Sequence, residues 1–149
     1  MFKIVEKRKI ADNIYEMKIA AERVAKAAQP GQFVIVRADE GGERVPLTIA
    51  DYDVERGTVT IVTQTIGHST KKICALEAGD SLADFAGPLG RPSEFVHMPE
   101  EELKKRKYLF VAGGVGTAPV YPQVKWLKNH GVDCDVIIGA KTKDMLIYI

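Results

Sequence analysis

The stretch Val111-Ala112-Gly113-Gly114-Val115-Gly116-Thr117-Ala118-Pro119 constrains this chain more than any other. It follows an apolar run, Tyr108-Leu109-Phe110-Val111, that reads as a buried strand, and it precedes residues 120–127, which read as a helix. A strand, a glycine turn and a helix start make an anion cradle. Glycines let the backbone approach a phosphate, and the free N–H groups of the first helical turn point at it. Only about thirty residues follow, fewer than a dinucleotide-binding half-domain needs.

The chain has 149 residues, enough for one medium domain or for a small domain plus part of another. Its formal net charge of +1 gives no argument for a nucleic acid or a membrane surface as partner. No apolar run approaches transmembrane length, and the N-terminal residues alternate where a signal peptide would be continuously apolar. The expected location is the cytoplasm. Cys74 and Cys134 are sixty positions apart with no C-x-x-C spacing, so no zinc or iron–sulfur site is expected from this chain alone. The acidic run 100–102 followed by the basic run 104–107 reads as a solvated loop or helix turn.

From residue 2 to about residue 95 the signals are those of strands. Alternation begins at Phe2 and Ile4, and resumes at Ile14, Tyr15, Met17 and Ile19 after the turn signal Asp12-Asn13. Residues 20–28 suit either a helical turn or a loop. Strands are expected at 32–36, 45–50 and 58–63, with Arg56-Gly57 as a hairpin turn. Residues 67–76 read as a helix opened by His68, Ser69 and Thr70. Residues 81–85 read as the last strand, and 87–92 as a rigid loop. This spacing predicts a six-stranded antiparallel Greek-key barrel with one helix. From about Glu100 the pattern becomes strand, helix, strand, ending in 132–139. That predicts a partial parallel βαβ nucleotide-binding unit. The expected division is 1–99 for the barrel and 100–149 for the partial α/β unit.

Four stretches then occur in an order that resembles the ferredoxin–NADP reductase superfamily: Pro30-Gly31-Gln32-Phe33-Val34, Arg44-Val45-Pro46-Leu47-Thr48, Gly67-His68-Ser69-Thr70 and residues 113–119. The set is most similar to the FAD-binding subunits of NADH-dependent ferredoxin–NADP reductases and sulfide dehydrogenases, and to the electron-transfer subunit of dihydroorotate dehydrogenase. The resemblance implies FAD. It puts the Thr48 hydroxyl beside flavin N5 as the catalytic group, with Pro46, Leu47 and Thr48 along the ring and Arg44 on the pyrophosphate. The family often reads Arg-x-Tyr-Ser, whereas here Val45 and Leu47 stand on the Arg and Tyr positions, and Arg44 is displaced by one residue. By itself this motif also suits an edge-strand arginine and a β-forming threonine.

The same resemblance implies that Ile61, Val62 and Thr63 border the ribityl chain and ring. Gly67, Ser69 and Thr70 would then seat the FAD pyrophosphate at a helix N-terminus. Plain N-capping is the alternative there, since Ser and Thr open helices in any fold. His68 reads as a solvent-facing residue. The cradle fails as a Rossmann fingerprint, with Pro119 in place of the third glycine, and fails as a P-loop, lacking Gly-Lys-Ser/Thr. It resembles the nicotinamide-nucleotide loop of the family, with Gly113, Gly114, Gly116 and Thr117 on the NAD(P) pyrophosphate and Pro119 in the opening turn. A glycine turn packing a helix on a sheet is the alternative. Lys141 reads as a solvated lysine.

The implied function is an FAD-dependent oxidoreductase subunit, passing electrons between NAD(P)H and an iron–sulfur carrier through flavin N5. The alternative is a non-catalytic FAD-binding or docking module of a larger redox complex. NAD(P) binding is expected to be weak or absent, and no 2Fe–2S centre is expected in the residues present. The implied partner is a second redox subunit carrying flavin and iron–sulfur centres. The apolar end, Met145-Leu146-Ile147-Tyr148-Ile149, raises the further expectation of a homo-oligomer that buries it in a neighbouring copy.

Overall fold

The computed structural model describes residues 2–149. The strands of the first part are β1 (Phe2–Ala11), β2 (Ile14–Ala20), β3 (Phe33–Arg37), β4 (Val45–Asp53), β5 (Thr58–Gln64), β6 (Ser81–Leu82) and β7 (Asp84–Leu89). They form one barrel-like antiparallel sheet in the order β6-β1-β2-β5-β4-β3-β7. The consecutive trio β3, β4 and β5 lies beside β2 through its last member, which is a Greek-key connection. Turn chemistry sets the hairpins. Asn13 takes the left-handed conformation between β1 and β2, which its short side chain tolerates, and Gly57 takes it between β4 and β5.

The sheet has seven strands where the sequence suggests six. The expected strand 81–85 breaks at Ala83, whose N–H turns to the carbonyl of Arg37. Its first half pairs with β1 and its second with β3. The expected loop at 87–92 begins inside β7, since edge strands accept proline. Residues 20–28 resolve as helix α1 (Glu22–Ala27), and the second helix, α2, spans His68–Ala75. Ile4, Met17, Ile19, Val34, Val36, Ile49, Val59 and Ile61 fill the barrel, with Val24 and Ala25 of α1 and Ile73 of α2 closing it.

The charge runs near residue 100 form helix α3 (Glu100–Lys105), acidic in its first turn and basic in its last, as the helix dipole favours. Then come β8 (Leu109–Gly113), a tight turn at Gly114–Gly116, helix α4 (Thr117–Asn129) and β9 (Asp135–Gly139). β8 and β9 pair in parallel, completing a βαβ unit. β9 starts at Asp135, because Val132 leaves the sheet to pack on Leu103, Leu127 and Phe95.

Of the apolar end, Ile147 is buried within its own chain and Ile149 is 85% exposed. Ile147 is 2% exposed and packs on Ala11, Ile14, Ala50, Val62 and Ala118 of its own chain. Further bare apolar surface lies on the β8–β9 sheet, at Leu109, Val111 and Ile137. Among the described residues no helix is long and apolar enough to cross a membrane.

Candidate functional site

β4 and β5 diverge at one end, and the candidate site is the fork between them. Their pairing runs from Asp53 opposite Thr58 to Ile49 opposite Ile61 and then stops. Beyond it, residues 45–48 of β4 pair only with β3, and Val62, Thr63 and Gln64 of β5 pair only with β2. Main-chain groups facing the fork therefore lack a strand partner and are available to a ligand. Pro46 lies on this freed edge, where its missing N–H breaks no β4–β5 bond.

The fork opens into a cavity of about 310 Å³. Val45, Pro46, Leu47 and Thr48 form one wall and Val62, Thr63 and Gln64 the second. Thr70 and Ile66 stand at the α2 end. Val115, Gly116, Ala118 and Pro119 of the glycine cradle form the remaining side. α4 is held against the barrel by Lys125 Nζ on Asp51 Oδ1 at 2.9 Å and by Ser93 Oγ donating to Gln123 Oε1 at 2.9 Å. Ile147 fills the space behind Val62 and Ala118, which both line the cleft. The cradle and the fork thus share one lumen.

Several expected site residues meet here: Pro46, Leu47, Thr48, Val62, Thr63, Thr70 and Gly116 all line the cleft. Gly113, Gly114 and Thr117 flank Gly116 in the same turn. A Cβ built on Gly67, Gly113, Gly114 or Gly116 would meet nothing within 4 Å, so an open shell surrounds both turns. Gly114 has φ +55°, which glycine adopts without strain.

Three expected residues stand elsewhere. Ile61 is fully buried in the barrel core and does not line the cleft. Arg44 places Nη2 3.0 Å from Asp84 Oδ2 and does not line the cleft. The Ser69 hydroxyl donates to Glu43 Oε2 at 2.7 Å. Thr70 Oγ1 accepts from the N–H groups of Ile66 and Gly67, both at 2.9 Å, so its hydroxyl caps the turn ahead of α2. The first-turn N–H groups of α2 remain free within the helix. His68 is exposed.

Val45, Gln64, Ile66, Val115, Ala118 and Pro119 line the cleft without having been expected as site residues from the sequence. Ile66 carried a readable signal, an isolated large apolar side chain between turn residues, and it is 76% exposed at the rim. The fit to a flavin rests on this chain's own features. The walls are mainly apolar with a few polar groups, as planar cofactor sites are. The Thr63 hydroxyl is buried with no partner, as is that of Thr117 beside the cradle.

No family model matches the chain. Its sheet topology, a seven-stranded antiparallel barrel-like sheet followed by a small parallel sheet, is that of the ferredoxin–NADP reductase-like fold. The NADH-dependent reduced ferredoxin–NADP oxidoreductase superposes with a TM-score of 0.89 at 40% identity, over 100% of this chain and 51% of that one. In sequence and fold this chain is similar to about half of that protein. More narrowly, a dihydroorotate dehydrogenase B (NAD(+)) electron transfer subunit homolog of Thermotoga maritima is 41% identical over 98% of this chain and 49% of its own length. An uncharacterized protein in the adh 3' region of Clostridium beijerinckii is 62% identical over 99% of this chain and 50% of its own. The chain spans about half the length of these curated relatives.

Proposed function

We propose that this chain is the FAD-bearing portion of an NAD(P)H-linked electron-transfer oxidoreductase, working with a second redox subunit that holds further flavin or iron–sulfur centres. The observation that supports it best is the shared lumen: the fork at Thr48 and the glycine cradle at Gly116 line one cavity. When bound, the flavin supplies hydride exchange at N5 and one-electron transfer onward to an iron–sulfur carrier. The chain's own part is to hold and orient. Thr48 offers a small hydroxyl at the ring, Val62 and Ile66 exclude water from its faces, and Thr63 offers a hydroxyl to the ring or ribityl chain. The first turn of α2 takes the diphosphate. The cradle brings the nicotinamide nucleotide to the same lumen, so that no side chain need act as a general base. The free thiols Cys74 and Cys134 suit a reducing cytoplasm.

The bare β8–β9 face supports a second reading, a docking module whose flavin is served by other parts of a larger assembly. An absorbance spectrum after reconstitution with FAD, followed by NADH and NADPH titration, separates the two. Yellow protein bleached by either nucleotide supports the oxidoreductase. Yellow protein indifferent to both supports the module. Protein that stays colourless overturns both.

A further inference from the structure

The β3–β4 loop, residues 38–44, lies along α2 beside the diphosphate seat. Two contacts staple it there. Glu43 Oε2 accepts from Ser69 Oγ at 2.7 Å, and Lys72 Nζ sits 3.1 Å from Asp39 Oδ2. A carboxylate therefore occupies the one free hydroxyl of the α2 first turn, since that of Thr70 is used in capping. A flavin diphosphate at that turn would meet Glu43 charge against charge. The next residue in the same loop is the cation Arg44, which is exposed and drawn aside onto Asp84.

Asp84 does not depend on Arg44. Arg37 Nη2 stands 3.9 Å from the same carboxylate oxygen, and Arg37 Nε is buried without a partner. Releasing Arg44 leaves Asp84 with a cation beside it. The pairs that close the loop are exposed or half-exposed, and such pairs hold weakly. Gly41 and Gly42 sit within the loop and ease its movement.

We propose that the loop is a charge-exchange gate selecting flavins that carry a diphosphate: Glu43 leaves Ser69 as the diphosphate arrives, and Arg44 leaves Asp84 to meet it. The gate rests on the flavin reading above. Its new element is Glu43, which opposes the ligand in the closed loop and sets the threshold for entry. A flavin without phosphate gains nothing from opening it.

The test is fluorescence titration of the full chain with FAD, ADP and riboflavin. Glu43→Gln should bind FAD and ADP about 3–10-fold more tightly by removing one like charge, with riboflavin unchanged. Asp39→Asn, which cuts the second staple, should shift in the same direction. Arg44→Gln should weaken FAD and ADP and spare riboflavin. Thermal melts of each variant check folding, and hydrogen exchange at residues 39–44 should change on adding ADP. Riboflavin binding with FAD and ADP affinities indifferent to Glu43 and Asp39 overturns the gate and leaves the flavin reading standing. Failure of every protein to bind riboflavin or FAD overturns the reading and the gate together.

Discussion

The phenol of Tyr148 donates a hydrogen bond to Oε2 of Glu16, a residue 132 positions earlier in the chain. Glu16 is 8% exposed and is also held by Arg8 Nη2 at 3.0 Å. The Tyr148 ring stacks on Tyr121 of α4 with centroids 4.9 Å apart. One side chain therefore ties β2 of the barrel to the helix that carries the cradle, directly behind the cleft.

Tyr148→Phe keeps the ring stack and removes the donor. Glu16 then stays buried with Arg8 as its one side-chain partner. Hydrogen bonds to charged groups contribute about 1.5–3 kcal/mol, so the variant should lose about 2 kcal/mol. The midpoint of urea unfolding measures it. The pair Tyr148→Phe with Glu16→Gln should cost less than the sum of the two single changes, because both remove the same contact.

Much of the fold was legible because local patterns and tertiary contacts agree. β5 alternates, Asp12-Asn13 and Arg56-Gly57 turn the hairpins, and the glycine cradle sits between strand and helix as its composition requires. The split at Ala83 was not legible, since a strand that changes partners keeps one continuous apolar pattern. At the site, Thr48, Val62 and Gly116 could be placed from motif order, but the fork itself could not. It exists because β4–β5 pairing stops at Ile49, a register fact with no residue signature. Arg44 and Ser69 illustrate the other limit. Their partners, Asp84 and Glu43, lie far away in sequence and are matched by charge, which sequence position does not disclose.

Gly116 separates folding from ligand binding. Its φ of −63° suits any residue, and a Cβ there meets nothing within 4 Å. Gly116→Leu should therefore keep stability within about 0.5 kcal/mol. The added side chain takes space at the cleft wall, so FAD affinity should fall by at least about tenfold, a change of roughly 1.4 kcal/mol. Thermal melting and flavin titration on one preparation read the two effects independently.

Alkaline pH should reveal Cys74. Burial pushes its thiol up from the usual 9 to about 11, against a smaller opposing pull from Lys7. The thiol also donates to the carbonyl of Thr63 at 3.7 Å, which a thiolate cannot do. The native state holds this proton more tightly than the unfolded chain. The contribution is thus intact below about pH 9 and is lost as pH rises toward 11. Cys74→Ala should flatten that part of the stability curve, measured by denaturant titration at stepped pH. The same geometry keeps the thiol protonated near neutrality, so alkylation of the native protein should strike Cys134 first, since Cys74 is the more deeply buried of the two.

The β8–β9 sheet leaves one apolar face open to water. Val111 is 70% exposed, Leu109 61% and Ile137 56%, and Val111 lies opposite Ile137 in the parallel register. The other face is covered, with Ala112 buried and Phe110 packed in the cluster of Leu103 and Leu127. Parallel sheets are ordinarily covered on both faces, so this apolar strip is costly in water. The 149-residue chain should self-associate as its concentration rises, through this strip and not through residues 145–149, of which Ile147 is already seated. Val111→Lys with Ile137→Lys should shift sedimentation to the monomer and leave flavin affinity unchanged, since neither residue lines the cleft. Self-association that persists in this variant and disappears in Ile149→Lys would move the contact to the chain's end.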